Sequence, residues 1–330
     1  MLTVTLYTRE DCHLCNQVED DLASLQEEHP HRLVRIDIEK EGLLQKYGAE
    51  IPVVEIGPYQ IKAPFERKTL AMTLGAARDR AEHLESVEDD TYRQRKERGQ
   101  KISLVDRFFY WFSKHYMIFF NLFVFLYVGL AFMAPVMQHA GLTAPARVTY
   151  AVYSKLCHQL AYRSWFLYGE QIAYPRETAG VTALTPYGEA TGLDPDDLQA
   201  AREFIGNPQL GYKVAFCQRD VGIYSGLLLF GLVFAVFRHK IKPLSFWGLL
   251  LLGLAPIALD GVSQLVSQLF AQLPWNFIPY RESTPFLRTL TGLMFGASIA
   301  WFGYPVIEEG MVDTRKIMAV KLAALRKEGQ

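Results

Sequence analysis

The stretch "LTVTLYTREDCHLCNQVEDDLASLQEE", residues 2–28, decides how the first part of the chain folds. Its opening alternates β-branched and aromatic residues with others, the period-2 pattern of a strand. Further on, Val18, Leu22 and Leu25 recur at helical spacing. Cys12 and Cys15 fall at the junction, where the predicted helix begins. There the helix dipole and free N–H groups stabilise a thiolate. This placement suits Cys12 as an exposed nucleophile and Cys15, one turn on, as the thiol that resolves a mixed disulfide. Half a zinc site or two buried thiols would use the same residues. Zinc takes about four ligands, however, and no second Cys-x-x-Cys follows. Arg9 and His13 read as solvated neighbours.

Outward from this stretch, "HRLVRIDIE" is a second strand and "GLLQKYG" a short helix ended by Gly48. "IPVVEIG" and "YQIKAPF" are two more strands, and "ERKTLAMTLGAARDRAEHLE" is a closing helix. The order is βαβαββα, and its β-α-β opening favours a parallel pair joined by a right-handed crossover. With Cys-x-x-Cys at the first strand-to-helix junction, "LYTREDCHLC" and "YGAEIPVVEIG" resemble the glutaredoxin-like branch of thioredoxin-fold domains over residues 1 to about 85. The resemblance implies an α/β thioredoxin-like fold, a redox-active Cys12/Cys15 dithiol and a cis proline at Pro52 beside it. His13-Leu14 stands where that family usually has a Pro-aromatic pair, which leaves open both glutathione as a cofactor and the redox potential.

At 330 residues the chain has room for about two domains. A formal net charge of −1 excludes a general nucleic-acid binder, which needs a basic surface. Four cysteines are too few for a disulfide scaffold. Residues 1–11 carry Arg9, Glu10 and Asp11 and no apolar core of a signal peptide, so the N-terminal domain is expected in the cytoplasm.

The second part reads as an all-α transmembrane helical bundle. A span needs about 20 mainly apolar residues. Residues 116–137, 221–237, 244–266 and 287–307 meet that length or approach it. The basic stretches before the first span, at 238–242 and at the C-terminus are expected on the cytoplasmic side. Four spans satisfy all three and leave both termini inside, in a bacterial or archaeal cell membrane. The predicted division is 1–85 for the glutaredoxin-like domain and 86–114 for a charged linker or juxtamembrane helix. The bundle then covers 115–310, with 311–330 an amphipathic cytoplasmic tail resting on the membrane surface. The segment 148–168 reads as a helix at the outer face. "DPDDLQAAREFIG" reads as a short helix capped by Asp194 in an inserted loop. The small residues Gly292, Gly296 and Ala300 allow close helix packing.

Polar groups at membrane depth are costly and usually face a bundle interior. "KLCHQLAYRS" (155–164), "CQRDVGIYSG" (217–226), Asp260 and Arg288 are such groups. On the four-span topology, Cys157, His158, Cys217, Arg163, Arg219, Asp220, Asp260 and Arg288 share one layer near the outer side. These stretches resemble an uncharacterised family of small integral membrane proteins. Its marks are Cys-His-Gln, an Arg-Ser pair and Cys-x-Arg-x-x-Gly-x-Tyr-x-Gly, matched here by Cys157-His158-Gln159, Arg163-Ser164 and Cys217 to Gly226. Over about 110–305 the resemblance implies a membrane domain and no particular activity.

Three readings of this centre stay open. Cys157 and Cys217 form a dithiol or disulfide between the two redox poises. Alternatively, Cys157, His158, Cys217 and Asp260 bind a zinc-like metal. On a helix His158 points about 100° away from Cys157, which works against that set. Thirdly, the cysteines are simply buried, with Arg219–Asp220 and Arg288–Asp260 as ion pairs holding the bundle. The fused redoxin favours a membrane-bound thiol–disulfide oxidoreductase. A metal-handling membrane protein with a regulatory redoxin is the alternative. Expected partners are the lipid bilayer and a thiol or disulfide, on a protein or a small molecule, with no nucleic acid. A hydrocarbon core about 30 Å thick separates the two predicted levels, so a relay needs a moving segment, a quinone or another carrier.

Overall fold

In the computed structural model, which describes residues 2–86, 101–238, 240–271 and 278–326, the chain divides into two units. One comprises residues 1–116 and 307–330, the other 117–306. The charged stretch 87–100 and the basic residue Lys327 lie outside the described residues.

The first unit is built on a four-stranded sheet of order β2-β1-β3-β4. Its elements are β1 (Leu2–Thr8), α1 (His13–Ser24), β2 (His31–Asp37), α2 (Leu44–Tyr47), β3 (Val53–Ile56), β4 (Tyr59–Lys62) and α3 (Arg67–Ser86). β1 and β2 run parallel, while β3 is antiparallel to both β1 and β4. Period-2 alternation sends successive side chains to opposite faces. Val4 and Leu6 of β1, with Val54 and Ile56 of β3, pack against Val18 and Leu22 of α1 and Leu70 and Leu74 of α3. Tyr7, Val34, Ile36 and Val53 point to the other face. This is the α/β thioredoxin-like arrangement expected from the sequence.

The second sheet face is covered by the chain's last helix. The helix Pro285–Arg326 continues past its apolar part, and Val312 and Ala319 are buried with Tyr7, Val34, Ile36 and Val53. Lys316 Nζ donates to Glu55 Oε1 at 2.6 Å. Buried Arg315 pairs with Glu308 at 2.6 Å and donates to Ser113 O at 2.7 Å. The tail was expected to lie on a membrane surface. Its apolar stripe instead covers a sheet face that would otherwise be wet, which removes that apolar area from water.

The second unit holds the helical region. Four helices of the described chain are long and apolar enough to cross a membrane: α4 (Leu104–His139), α6 (Gln218–Phe237), α7 (Phe246–Phe270, with a π-helical turn at Leu249–Leu254) and α8 (Pro285–Arg326). Between α4 and α6 lies a folded segment. It contains α5 (Thr143–Tyr153) and a three-stranded antiparallel sheet of β5 (Ser164–Leu167), β7 (Gly211–Cys217) and β6 (Gly206–Asn207), in that spatial order. Phe166, Tyr174, Tyr187, Ala201 and Leu210 form its core.

The expected single helix over 148–168 is corrected here. α5 stops at Tyr153, and a turn carrying Cys157 leads to β5. Gln159 takes a left-handed φ of 52°, which no helix accommodates. Its side chain donates to Tyr150 O and Ala215 O instead, tying the turn to β7. The short helix in this segment, Leu198–Glu203, is capped by Asp197, whose carboxylate accepts from Gln199 N and Ala200 N. Asp194, the expected cap, accepts from Asp196 N within the preceding turn.

Candidate functional site

Cys12 and Cys15 are joined by a disulfide at the start of α1. β1 ends at Thr8, and four residues later Cys12 caps the helix, its Sγ accepting from Cys15 N at 3.3 Å. Cys12 is half-buried and reachable, whereas Cys15 is fully buried. Arg9 and His13 are exposed. The Ile51–Pro52 bond is cis, as the family resemblance implied. Pro52 lines a small groove of about 100 Å³ with Leu14, Gln17 and Val18 of α1 and Pro64.

The second cysteine pair is also assembled locally. β7 runs directly into α6, with Cys217 both the last strand residue and the helix cap. Ser164 of β5 is its strand partner, and Gln218 Nε2 donates to Ser164 O at 3.0 Å. Cys217 N in turn donates to Cys157 Sγ at 3.3 Å. Both thiols are free. Asp220 N approaches Cys217 Sγ at 3.5 Å, repeating the cap seen at Cys12. The hydrogen bond between the two thiol groups raises the pKa of Cys157 and lowers that of Cys217. Burial and the Asp220 charge push both thiols up, against the lowering that Cys217 takes from Cys157.

The donor atoms of Cys157, Cys217 and Asp220 lie within 4.8 Å of one another. His158 and Asp260 stand outside this group, so the four-residue metal set expected from the sequence is not what converges. His158 lines the same cavity as the thiols but is not one of the three groups that converge, while Asp260 is held by arginines. Arg219 pairs with Asp260, and Arg281 reaches the same carboxylate at 3.1 Å. Arg288 pairs with Glu282, which also binds Arg163 through Nε at 2.9 Å. The expected pairs Arg219–Asp220 and Arg288–Asp260 are therefore corrected. Glu282 was not singled out from the sequence. Its one signal was a carboxylate beside Arg281, six residues before Arg288.

These groups border a cavity of about 610 Å³ on which Cys157, Cys217, Asp220, Arg163, Arg219 and Arg288 all open. A second cavity of about 710 Å³ lies nearby, lined by His158, Gln159 and Lys213. Lys213 is completely buried and donates to Gln159 O at 2.8 Å and Arg202 O at 2.6 Å. Burial, with the Arg202 charge nearby, pushes its pKa down to about 7.

The helix frame beneath is held by glycines. A Cβ on Gly222 would meet Thr289 O at 2.3 Å, and one on Gly296 would meet Ile223 O at 1.9 Å. α6 and α8 thus pack backbone to backbone, which brings Arg219 and Arg288 to one level.

Comparison with known proteins follows the same division. Residues 3–75 match the model of the family described as "Glutaredoxin-like domain (DUF836)", and residues 202–302 match that of "Predicted membrane protein (DUF2085)". The chain therefore carries an N-terminal glutaredoxin-like domain and a C-terminal domain of that predicted membrane protein family. Both resemblances read from the motifs are borne out. An uncharacterized protein of Methanocaldococcus jannaschii is 26% identical over 205 residues, covering 60% of this chain and 95% of the relative. No solved structure matches the chain.

Proposed function

We propose that this is a membrane-bound thiol–disulfide oxidoreductase whose Cys12/Cys15 pair exchanges electrons with a second centre, Cys157/Cys217. The observation that carries this reading is shared by the two pairs. In each, one sulfur caps a helix and accepts from the amide three residues on, with the second sulfur beside it. A capping thiolate is stabilised by the helix terminus and is the reactive form of cysteine. It attacks one sulfur of a disulfide, and the other sulfur leaves as a thiol. The neighbouring cysteine then closes the new disulfide, and two electrons and two protons have moved. On the topology argued from charge, the glutaredoxin-like domain faces the cytoplasm and the second centre the outside. Exchange between them then runs through a carrier of the quinone or small-dithiol class.

Thiol trapping in membranes tests this. The redox state of Cys157 and Cys217 is read by alkylation and mass spectrometry while the cytoplasmic face is made oxidising or reducing. The expected result is that both change with Cys12 and stop doing so in Cys12→Ser. Cys157 and Cys217 that hold one state throughout would rule the relay out.

The convergence of Cys157, Cys217 and Asp220 supports a second reading, a metal-handling protein regulated by its redoxin. Two thiolates and a carboxylate suit a zinc-like ion, with the fourth position left to water or cargo. Stoichiometric metal that disappears in Cys157→Ser would favour it over the relay.

A further inference from the structure

The cavity beside Cys157 and Cys217 holds more positive charge than its own carboxylates answer. Arg163, Arg176, Arg219 and Arg288 line it, against the two carboxylates Asp196 and Asp220. Two more carboxylates, Asp260 and Glu282, stand behind the wall with side chains 2% exposed, and each is shared by two arginines. With Arg281 included, five guanidiniums therefore meet four carboxylates. One of the four, Asp196, is 84% exposed and pairs with Arg176 at 3.2 Å. Water screens such a contact heavily.

Two guanidinium nitrogens are left over. Nε of Arg176 and Nε of Arg219 are buried with no hydrogen-bond partner among the described residues. Arg176 is itself nine-tenths buried, its side chain 10% exposed. Its position is fixed by Tyr280 Oη at 3.0 Å, Tyr162 Oη at 3.2 Å and the carbonyl of Pro195, and its guanidinium stacks 4.4 Å from the Tyr162 ring centre. A buried N–H without an acceptor costs free energy. Arginine's planar fork suits oxyanions.

We infer that this cavity binds a small organic thiol or disulfide carrying at least two oxyanion groups, and presents its sulfur to Cys157 and Cys217. The inference rests on the redox reading of that pair and names its substrate class. The arginines hold the charged ends, and the leucine and tyrosine side chains of Leu156, Leu160 and Tyr162 face the carbon chain. The Cys217 thiolate attacks one sulfur of the bound disulfide, whose S–S bond breaks, and the leaving thiolate takes the Cys157 proton. The Cys157 thiolate then attacks Cys217 in the mixed disulfide. The second substrate thiolate leaves and takes a proton from water, replacing the one first lost by Cys217. Cys157–Cys217 is oxidised by two electrons, and the substrate becomes two thiols. The reverse sequence reduces the Cys157–Cys217 disulfide and joins two substrate thiols into their disulfide.

The test uses the full chain in nanodiscs with Cys12→Ser and Cys15→Ser, so that only the second centre reports. Dithiodiglycolate, a dicarboxylate disulfide, is compared with bis(2-hydroxyethyl) disulfide, which is neutral and of similar length. Oxidation of Cys157 and Cys217 is followed by mass spectrometry. The dianion is expected to react about tenfold faster or more, an advantage that shrinks toward one in Arg176→Gln and with added salt. Equal rates, or a faster neutral disulfide, overturn the inference. Adipate, the carbon isostere that cannot exchange, separates the two claims. If neither disulfide oxidises the pair yet adipate raises the melting temperature of the parent chain and not of Arg176→Gln, the redox reading falls and the anion site stands. If adipate does not bind while both disulfides react, the anion site falls and the redox reading stands.

Discussion

Cys12 and Cys15 sit three residues apart in different environments. Cys12 is reachable, and Cys15 is sealed behind it. Each should therefore fail differently. With a model disulfide, Cys15→Ser is expected to trap a mixed disulfide on Cys12, seen as an adduct by intact mass, while Cys12→Ser forms none. Lys213 makes the other prediction at this scale. Burial holds its folded pKa near 7, against 10.5 for the free side chain. Between these values the unfolded chain binds a proton that the folded chain does not. Stability from this group therefore rises with pH across about 7 to 10.5, with a slope of up to about 1.4 kcal/mol per pH unit, and is flat below. Melting curves of the parent and Lys213→Met should show the parent gaining relative stability as pH rises through that window. Parallel pH profiles would mean that Lys213 stays charged when folded.

Among the elements, the α6–α8 contact makes the sharpest demand on sequence. Ile223 O lies where a side chain on Gly296 would begin, and the obstacle is backbone that cannot rotate away. Gly296→Val should therefore cost about 1–3 kcal/mol or more, read as a lowered melting temperature in detergent, while Gly303→Val, with open space around it, should not. The helix propensity of valine is the same at both sites, so the difference isolates the contact. The small-residue spacing of Gly292, Gly296 and Ala300 was legible as a packing face because it recurs once per turn. The sheet of β5, β6 and β7 was not. Residues 148–168 are apolar and aromatic in a way that fits either period, and only pairing with β7 selects the strand.

For the molecule as a whole, the charge bias of its short segments predicts which side each sulfur meets. In intact cells, a membrane-impermeant maleimide should label Cys217 once the pair is reduced. Cys12 should be labelled only after the membrane is opened, as scored by mass shift of single-cysteine variants. Labelling of Cys12 but not Cys217 from outside would invert the four-span topology, and labelling of both would mean that α4 does not cross. The glutaredoxin-like domain needs no membrane for its own core, since its two sheet faces are covered within the first unit by α1 and α3 and by the end of α8.

The cis proline at 52 was implied by the family resemblance alone, while local signals were enough for the thioredoxin-like order, the capping position of Cys12 and the four apolar helices. Each depends on periodicity, a turn or a motif within some twenty residues, and near neighbours cannot be rearranged. Partnerships across distance were not legible. Asp260 went to Arg219 and Arg281, Glu282 to Arg163 and Arg288, and Asp220 rather than His158 joined the two thiols. A charge can satisfy any opposite charge that the fold brings within reach, so composition names the candidates and only the packing of β7, α6, α7 and α8 chooses among them. The same holds for the tail, whose apolar stripe suits a lipid surface as well as a sheet until the uncovered face of β1, β2 and β3 claims it.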